Sequence, residues 1–366
     1  MKTTAQAFAI IAALAAGFTS FAEDDHWTYN SGTGTISDGL WTFNATVDSN
    51  NKMTVGTCTV YPSSRSTLDF VKPVQDAGNT QYTIKKLDTH LAHKKDTATD
   101  NGYRPGDLEA SEASTKVGRL ILPQTGLTTI SAAAFAYCSN LTNIVNYLPD
   151  SVTSIGNSAF AYCPARQDLF IRGISGSTGR GIFYHAGIRS ITFGRGFKTI
   201  GDTSNGMTSF QGCTSITNLV FHPEGSGITF PANAFRCSGA TLKQPLVLYG
   251  VKSIASSAFE GWKIPSITFD DGIESIGTFT DVTTLKEVHF LGAPPTSQSG
   301  TWADYGQGTS IVTTYILSKF LAQWKPYAAN GEIKKINTTF SSTYATNPSK
   351  RPLYYTGSIR FTISLR

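Results

Sequence analysis

Charge is scarce in this chain. Only 15% of its 366 residues are Asp, Glu, Lys or Arg, and the formal net charge is +5. That balance is too mild to require a nucleic-acid partner. No stretch supplies the roughly 20 consecutive apolar residues that a membrane-spanning helix needs. No Gly-x-Ser-x-Gly elbow and no His-Glu-x-x-His pair is present. Gly194-Arg195-Gly196-Phe197-Lys198-Thr199 has glycines and a Lys-Thr pair, but not at phosphate-loop spacing. The carboxylate pairs Asp24-Asp25 and Asp270-Asp271 are adjacent in sequence, and adjacent strand residues point to opposite faces, so they make poor acid–base partners. The reading is a protein that is not an enzyme and uses no cofactor or metal. Its 40% hydrophobic content is enough to bury a core, which excludes global disorder.

The first residues have the pattern of an export signal. Lys2 supplies a positive start, Ala7 to Phe18 form an apolar run, and Ser20-Phe21-Ala22 places small residues where a signal peptidase reads. Cleavage is expected near Ala22, giving a secreted, periplasmic or cell-surface product. Removal of Lys2 would leave a net charge of +4.

What the chain does have is a period. Ile130-Ser-Ala-Ala-Ala-Phe135-Ala-Tyr-Cys138 is followed by Leu141 and Ile144; Ile155-Gly-Asn-Ser-Ala-Phe160-Ala-Tyr-Cys163 repeats it. Phe210 with Cys213, Phe235 with Cys237, and Phe259 with Trp262 continue the series. Phenylalanines at 135, 160, 183, 210, 235, 259 and 279 are 20 to 27 residues apart. A unit this small cannot bury its own apolar face, so a near-constant period means stacked coils with a continuous core. The Leu-x-x-Ile and Ile-x-Phe pieces, such as Leu141/Ile144 and Ile264/Ile267/Phe269, read as short strands that line up as a parallel sheet. Ala-Phe packs from the opposite wall. Gly156, Gly201 and Gly277 follow the inward isoleucine, where the chain is expected to turn.

The composite Leu-Thr-x-Ile-x-x-x-Ala-Phe-x-x-Cys-x-x-Leu-x-x-Ile, closest at residues 127 to 144, resembles the BspA-like leucine-rich repeat of bacterial secreted and surface proteins. The units around Phe183 and after 271 are degenerate. The resemblance implies an α/β-type, right-handed repeat solenoid. Its parallel β-sheet would lie on one side, with short helices or turns on the other. It also implies adhesion or another protein–protein contact, and leaves the ligand open.

The expected organisation is a signal peptide at 1–22, an N-terminal β cap at 23–66 with a hairpin turning at Asn50-Asn51, and an irregular first coil and polar loop at 67–116. The repeat array follows at 117–290. Gly292-Ala-Pro-Pro295 is expected to end the regular coils. A capping unit occupies 291–340, where Lys319 to Tyr327 read as a short helix stopped by Pro326 and Trp324 covers the core end. The tail at 341–366 alternates enough for strands.

The five cysteines divide by position. Cys138, Cys163, Cys213 and Cys237 sit in the repeat register, which points to buried thiols acting as small apolar groups, with a disulfide between neighbouring coils as the alternative. Cys58 lies apart as the candidate free thiol. His90-x-x-His93 reads as surface loop, with a weak metal site completed by Asp88 or Asp96 as the alternative. The candidate ligand patch is Arg172, Arg180, Arg189, Arg195 and Lys198, because residues 169 to 201 contain no acid. Such a patch would suit a protein or acidic-glycan partner. The leading reading is a non-catalytic binding protein. The alternatives are a structural envelope protein without a discrete ligand, and an exported hydrolase carrying accessory repeats.

Overall fold

The computed structural model describes residues 24–94, 108–145, 148–149, 151–164, 167–171, 173, 178–199, 209–237, 239–279, 282, 284–298, 313–329 and 336–337. The expected signal segment, the tail at 341–366 and the middle of the polar loop lie outside these residues. The chain forms two compact units, 1–165 and 166–366.

The first unit opens with a closed ring of six strands. Trp27–Asn30, Thr35–Ser37, Thr42–Val47 and Lys52–Val60 pair antiparallel in sequence order. Asn51, at φ 57°, makes the turn between the last two. Lys52–Val60 then pairs parallel with Gln81–Leu87, which pairs antiparallel with Val74–Asp76, and that strand returns parallel to Trp27–Asn30. Closure leaves no open edge in the ring. The module therefore extends to Leu87, beyond the expected limit at 66. The short strand Val74–Asp76 carries too little alternation to announce itself in the sequence. Alternate residues Trp27, Ile36, Phe43, Met53 and Val55 are buried.

The ring grows directly into the repeat. Gln81–Leu87 also pairs parallel with Thr129–Ile130, which pairs with Ser154–Ile155. A second parallel ladder runs Ser66–Asp69, Val117–Ile121, Asn143–Val145. The outer edge of Ser66–Asp69 is closed by tryptophans: the Trp41 indole donates to the Thr67 carbonyl at 3.0 Å and the Trp27 indole to the Asp69 carbonyl at 2.7 Å.

The second unit has the same logic. Gln167–Ile171, Ile188–Phe193 and Asn218–Phe221 form one parallel sheet. Leu246–Leu248, Ser266–Phe269, Glu287–Phe290, Thr313–Ile316 and Ile336–Asn337 form another. Ile228–Phe230, Val251–Ile254, Ser275–Ile276 and Ser297–Gln298 make the ladder on the other wall. Both ladders therefore continue past Gly292-Ala-Pro-Pro295. These prolines lie between strands, where no ladder N–H is required.

Among the described residues the Phe-bearing wall is built of turns rather than helices. Residues two before and two after the repeat Phe adopt positive φ: Ala133 and Tyr137, Ser158 and Tyr162, Gly181 and His185, Ser257 and Gly261. This strained alternation frees backbone groups to bond between coils. Ala133, Phe135 and Tyr137 each donate at 2.8 Å to the carbonyls of Asn157, Ala159 and Ala161. The phenylalanines then stack as a column. Phe135 and Phe160 lie 5.4 Å apart in the first unit; Phe183, Phe210, Phe235 and Phe259 lie 5.0 to 5.3 Å apart in the second, with ring planes within 4°.

Gly156 and Gly277 do not turn the chain. Neither has positive φ, and each lies against the preceding coil: a Cβ would fall 2.2 Å from the Ala132 or Ser256 nitrogen. The reason for glycine there is backbone contact between coils. Gly201 lies outside the described residues.

Pro326 does not stop its helix, Leu321–Ala329, but lies within it. Ala322, whose carbonyl loses its partner to the proline ring, is exposed, so water can take the bond. Trp324 on the same helix is fully buried, 4.5 Å from Phe290, and its indole donates to the Gly292 carbonyl at 3.1 Å.

Candidate interaction surface

The repeat cysteines have a recurring partner. Cys163 donates its thiol to the Phe135 carbonyl at 3.2 Å and Cys213 to the Phe183 carbonyl at 3.0 Å, each reaching the repeat Phe of the preceding coil. Trp262 stands at the same register position and its indole donates to the Phe235 carbonyl. This position thus supplies an S–H or N–H as well as bulk, and the Phe183 carbonyl takes the Ala186 N–H at 3.0 Å besides the thiol. Cys138, Cys163, Cys213 and Cys237 are free and buried, and burial raises the pKa of Cys138, Cys213 and Cys237. Cys58 is free and partly buried, its thiol pushed up to about 12 by burial, so at neutral pH it is not a reactive thiolate.

The threonine of the Leu-Thr-x-Ile signature also has a structural role that its spacing does not announce. Thr142, Thr153 and Thr217 use both backbone N–H and hydroxyl on one carbonyl of the preceding coil: Gly118, Thr128 and Arg189 respectively. Phe135, Phe160, Phe210, Phe235 and Phe259 are all buried. These side chains hold the coils together and leave recognition to other positions.

The basic patch is not brought together as a free cationic surface. Arg189 pairs with Asp168, one residue before the acid-free window, with its Nε 2.9 Å from Oδ1; this holds the Arg189 pKa above its ordinary value. Arg195 faces Glu224 of the next coil at 3.3 Å, and Lys198 Nζ donates to the Ser226 carbonyl. Arg180 is partly buried, and Arg172 lies outside the described residues. The acid-free window is a property of the sequence; stacking supplies the acids from its flanks.

The outward face of the second unit's sheets is different. Strand alternation sends Leu169, Ile191, Leu219, Leu246, Ile267 and Val288 inward. The register then aligns Phe170, Thr192 and Val220 across the first sheet and Val247, Thr268, His289 and Tyr315 across the second, all facing outward. Phe170, Val220, Val247, His289 and Tyr315 are each partly exposed. His289 stacks on Tyr315 at 4.5 Å and faces Glu287 at 3.3 Å. Its burial lowers its pKa against the opposing pull of Glu287, which favours the neutral ring at pH 7.

Among the described residues no group of three or more His, Cys, Asp or Glu side chains could hold a metal, and no helix is long and apolar enough to cross a membrane. His90 lies 3.2 Å from Asp88.

The chain matches the family model for the BspA type leucine rich repeat region in six copies, over residues 112–236, 177–286 and 203–313. No curated protein matches it. Among solved structures it is similar to a leucine rich cell surface protein from Faecalibacterium prausnitzii A2-165, at 16% identity and TM-score 0.41, covering 78% of this chain and 77% of that one. It is also similar to a leucine-rich repeat protein from Bacteroides ovatus ATCC 8483, at 16% identity and TM-score 0.37, covering 83% and 79%. Superpositions this loose say nothing about function, and the family is carried by the repeat match, which spans more than half of the chain. The protein is a member of the BspA-type leucine-rich-repeat family.

Proposed function

We propose that this chain is an exported, non-catalytic repeat protein that binds a protein partner, in the manner of an adhesin, across the outward face of its parallel sheets. The repeats of each unit are read as right-handed solenoid coils. Export rests on Lys2, the apolar run Ala7 to Phe18 and the Ser20-Phe21-Ala22 site.

One observation carries the binding reading. Phe170 and Val220 flank Thr192 in one sheet, and Val247 and Tyr315 flank Thr268 and His289 in the other, so partly exposed apolar side chains recur on a face that a purely structural coil would make polar. Apolar and aromatic side chains in register are what a protein partner buries at the centre of an interface. The paired charges at Arg189 and Arg195 argue against an acidic glycan held by that flank.

The test is binding of the chain from Glu23 onward to immobilised matrix glycoproteins at two salt concentrations, beside a Val220→Asp/Val247→Asp variant. Binding that weakens at least about tenfold in the variant, a loss of about 1.4 kcal/mol, with little response to salt, supports this face. Binding unchanged in the variant overturns the face. Absence of binding across the panel shifts the reading to a structural role in the producing cell's envelope.

A further inference from the structure

A second surface lies in the first unit, independent of the sheet face just described. The segment from Val60 to Thr67 runs beside the helix Glu112–Lys116 and the strand that follows it. Tyr61 donates its hydroxyl to Glu112 at 3.2 Å, and Lys116 Nζ donates to the Ser63 carbonyl at 3.0 Å. Arg65 lies over Gly118 and reaches Thr142 Oγ1 at 2.9 Å. Thr67 pairs with Arg119 in the ladder.

Two uncommon features coincide on this strip. Val60 and Tyr61 are exposed large hydrophobics, at 50% and 37%, and the only other one among the described residues is Val71. Arg65 and Arg119 are both exposed, and among the described residues neither has a carboxylate within ion-pair distance. Arg189, Arg195 and Arg236, by contrast, are each paired with an acid.

Arg65 is also held in place. A side chain at 118 would collide with it, since a Cβ there would fall 2.4 Å from its Nε, so Gly118 provides the bed on which the guanidinium lies. Its bond to Thr142 uses one N–H and leaves the rest of the fork open. A preset guanidinium loses less side-chain freedom when it binds a carboxylate.

We infer that the strip formed by Val60, Tyr61, Arg65 and Arg119 is a docking site for an acidic protein segment that carries an apolar side chain among its carboxylates. Arg65 and Arg119 take the carboxylates, and Val60 and Tyr61 take the apolar side chain. Charge complementarity selects an anion, because Arg65, Lys116 and Arg119 outnumber Glu112 along the strip. The exposed Val60 beside Tyr61 favours protein over glycan, since a sulfated or carboxylated sugar chain has no aliphatic side chain to bury against the valine.

Fluorescence anisotropy of the chain from Glu23 onward tests this with three labelled probes. They are a hexapeptide alternating carboxylates with Phe and Leu, the same peptide with Ser in place of the apolar residues, and a heparin hexasaccharide. The expected result is binding of the acidic–apolar peptide about tenfold tighter than its serine counterpart. Arg119→Ala and Tyr61→Ser should each weaken it by a similar factor, and Arg119→Lys should weaken it less. An unchanged urea midpoint shows that the variants fold. Preference for heparin over the peptide, equal affinity of the two peptides, indifference to the variants or no peptide binding at all would each overturn the inference. The outward-face variant Val220→Asp/Val247→Asp should bind the peptide normally, which separates this site from the sheet face.

Discussion

Replacing Cys213 by alanine should damage the second unit more than its small size suggests. The thiol is fully buried and donates to the Phe183 carbonyl at 3.0 Å. Alanine removes the thiol's bond while the Phe183 carbonyl keeps the Ala186 N–H at 3.0 Å, so the lost hydrogen bond costs about 0.5–1.5 kcal/mol. Losing the sulfur's packing adds about 1 kcal/mol. The expected loss is therefore about 1.5–2.5 kcal/mol in that part of the second unit. Serine restores an O–H donor while still losing the sulfur, so Cys213→Ser should fall less far than Cys213→Ala, by about 1 kcal/mol. Urea unfolding followed by far-UV circular dichroism gives the midpoints. Hydrogen exchange across residues 183–199 and 209–213 localises the loss, because coils couple mainly to their neighbours. If serine proves no better than alanine, the carbonyl is not what the thiol is there for, and the repeat cysteine is only a space-filler.

Other consequences can be measured in the same way. Gly156→Ala and Gly277→Ala place a methyl 2.2 Å from the backbone of the preceding coil and should lower stability by about 1–3 kcal/mol. Gly272→Ala, with nothing within 4 Å, should be neutral or slightly stabilising in the same urea series. Trp41→Phe keeps a ring but removes the donor to the Thr67 carbonyl, and calorimetry should show about 1–3 kcal/mol lost. Burial raises the folded-state pKa of Cys237 from 9.0 to about 11, so its contribution is complete below pH 9 and is lost as pH rises towards 11. The urea midpoint should fall over that window, and less steeply in Cys237→Ala.

Period and composition made the repeat legible because they report local events. An inward isoleucine and an Ala-Phe pair must recur once per coil, so Phe135 and Phe160 could be placed from spacing alone. What spacing could not show was which atoms meet across coils. The donor role of Cys163 depends on a carbonyl 28 residues away. The contact that forces glycine at 156 comes from Ala132, and the acid that balances Arg195 comes from Glu224. The acid-free window from 169 to 201 illustrates this, because Asp168 and Glu224, both outside it, face Arg189 and Arg195. The ring at the start was hidden differently, because the strand Val74–Asp76 is short and pairs with strands both before and after it.

The indoles of Trp27 and Trp41 give the first strand of the array a finished edge. Further along, Cys163, Cys213 and Trp262 each reach the phenylalanine carbonyl of the coil before. A unit gained or lost in the middle would therefore find its acceptor already waiting and leave the opening edge untouched. Such a molecule can change length by duplication or deletion of whole coils without reinventing its beginning, and selection can then act on reach as a trait separate from stability.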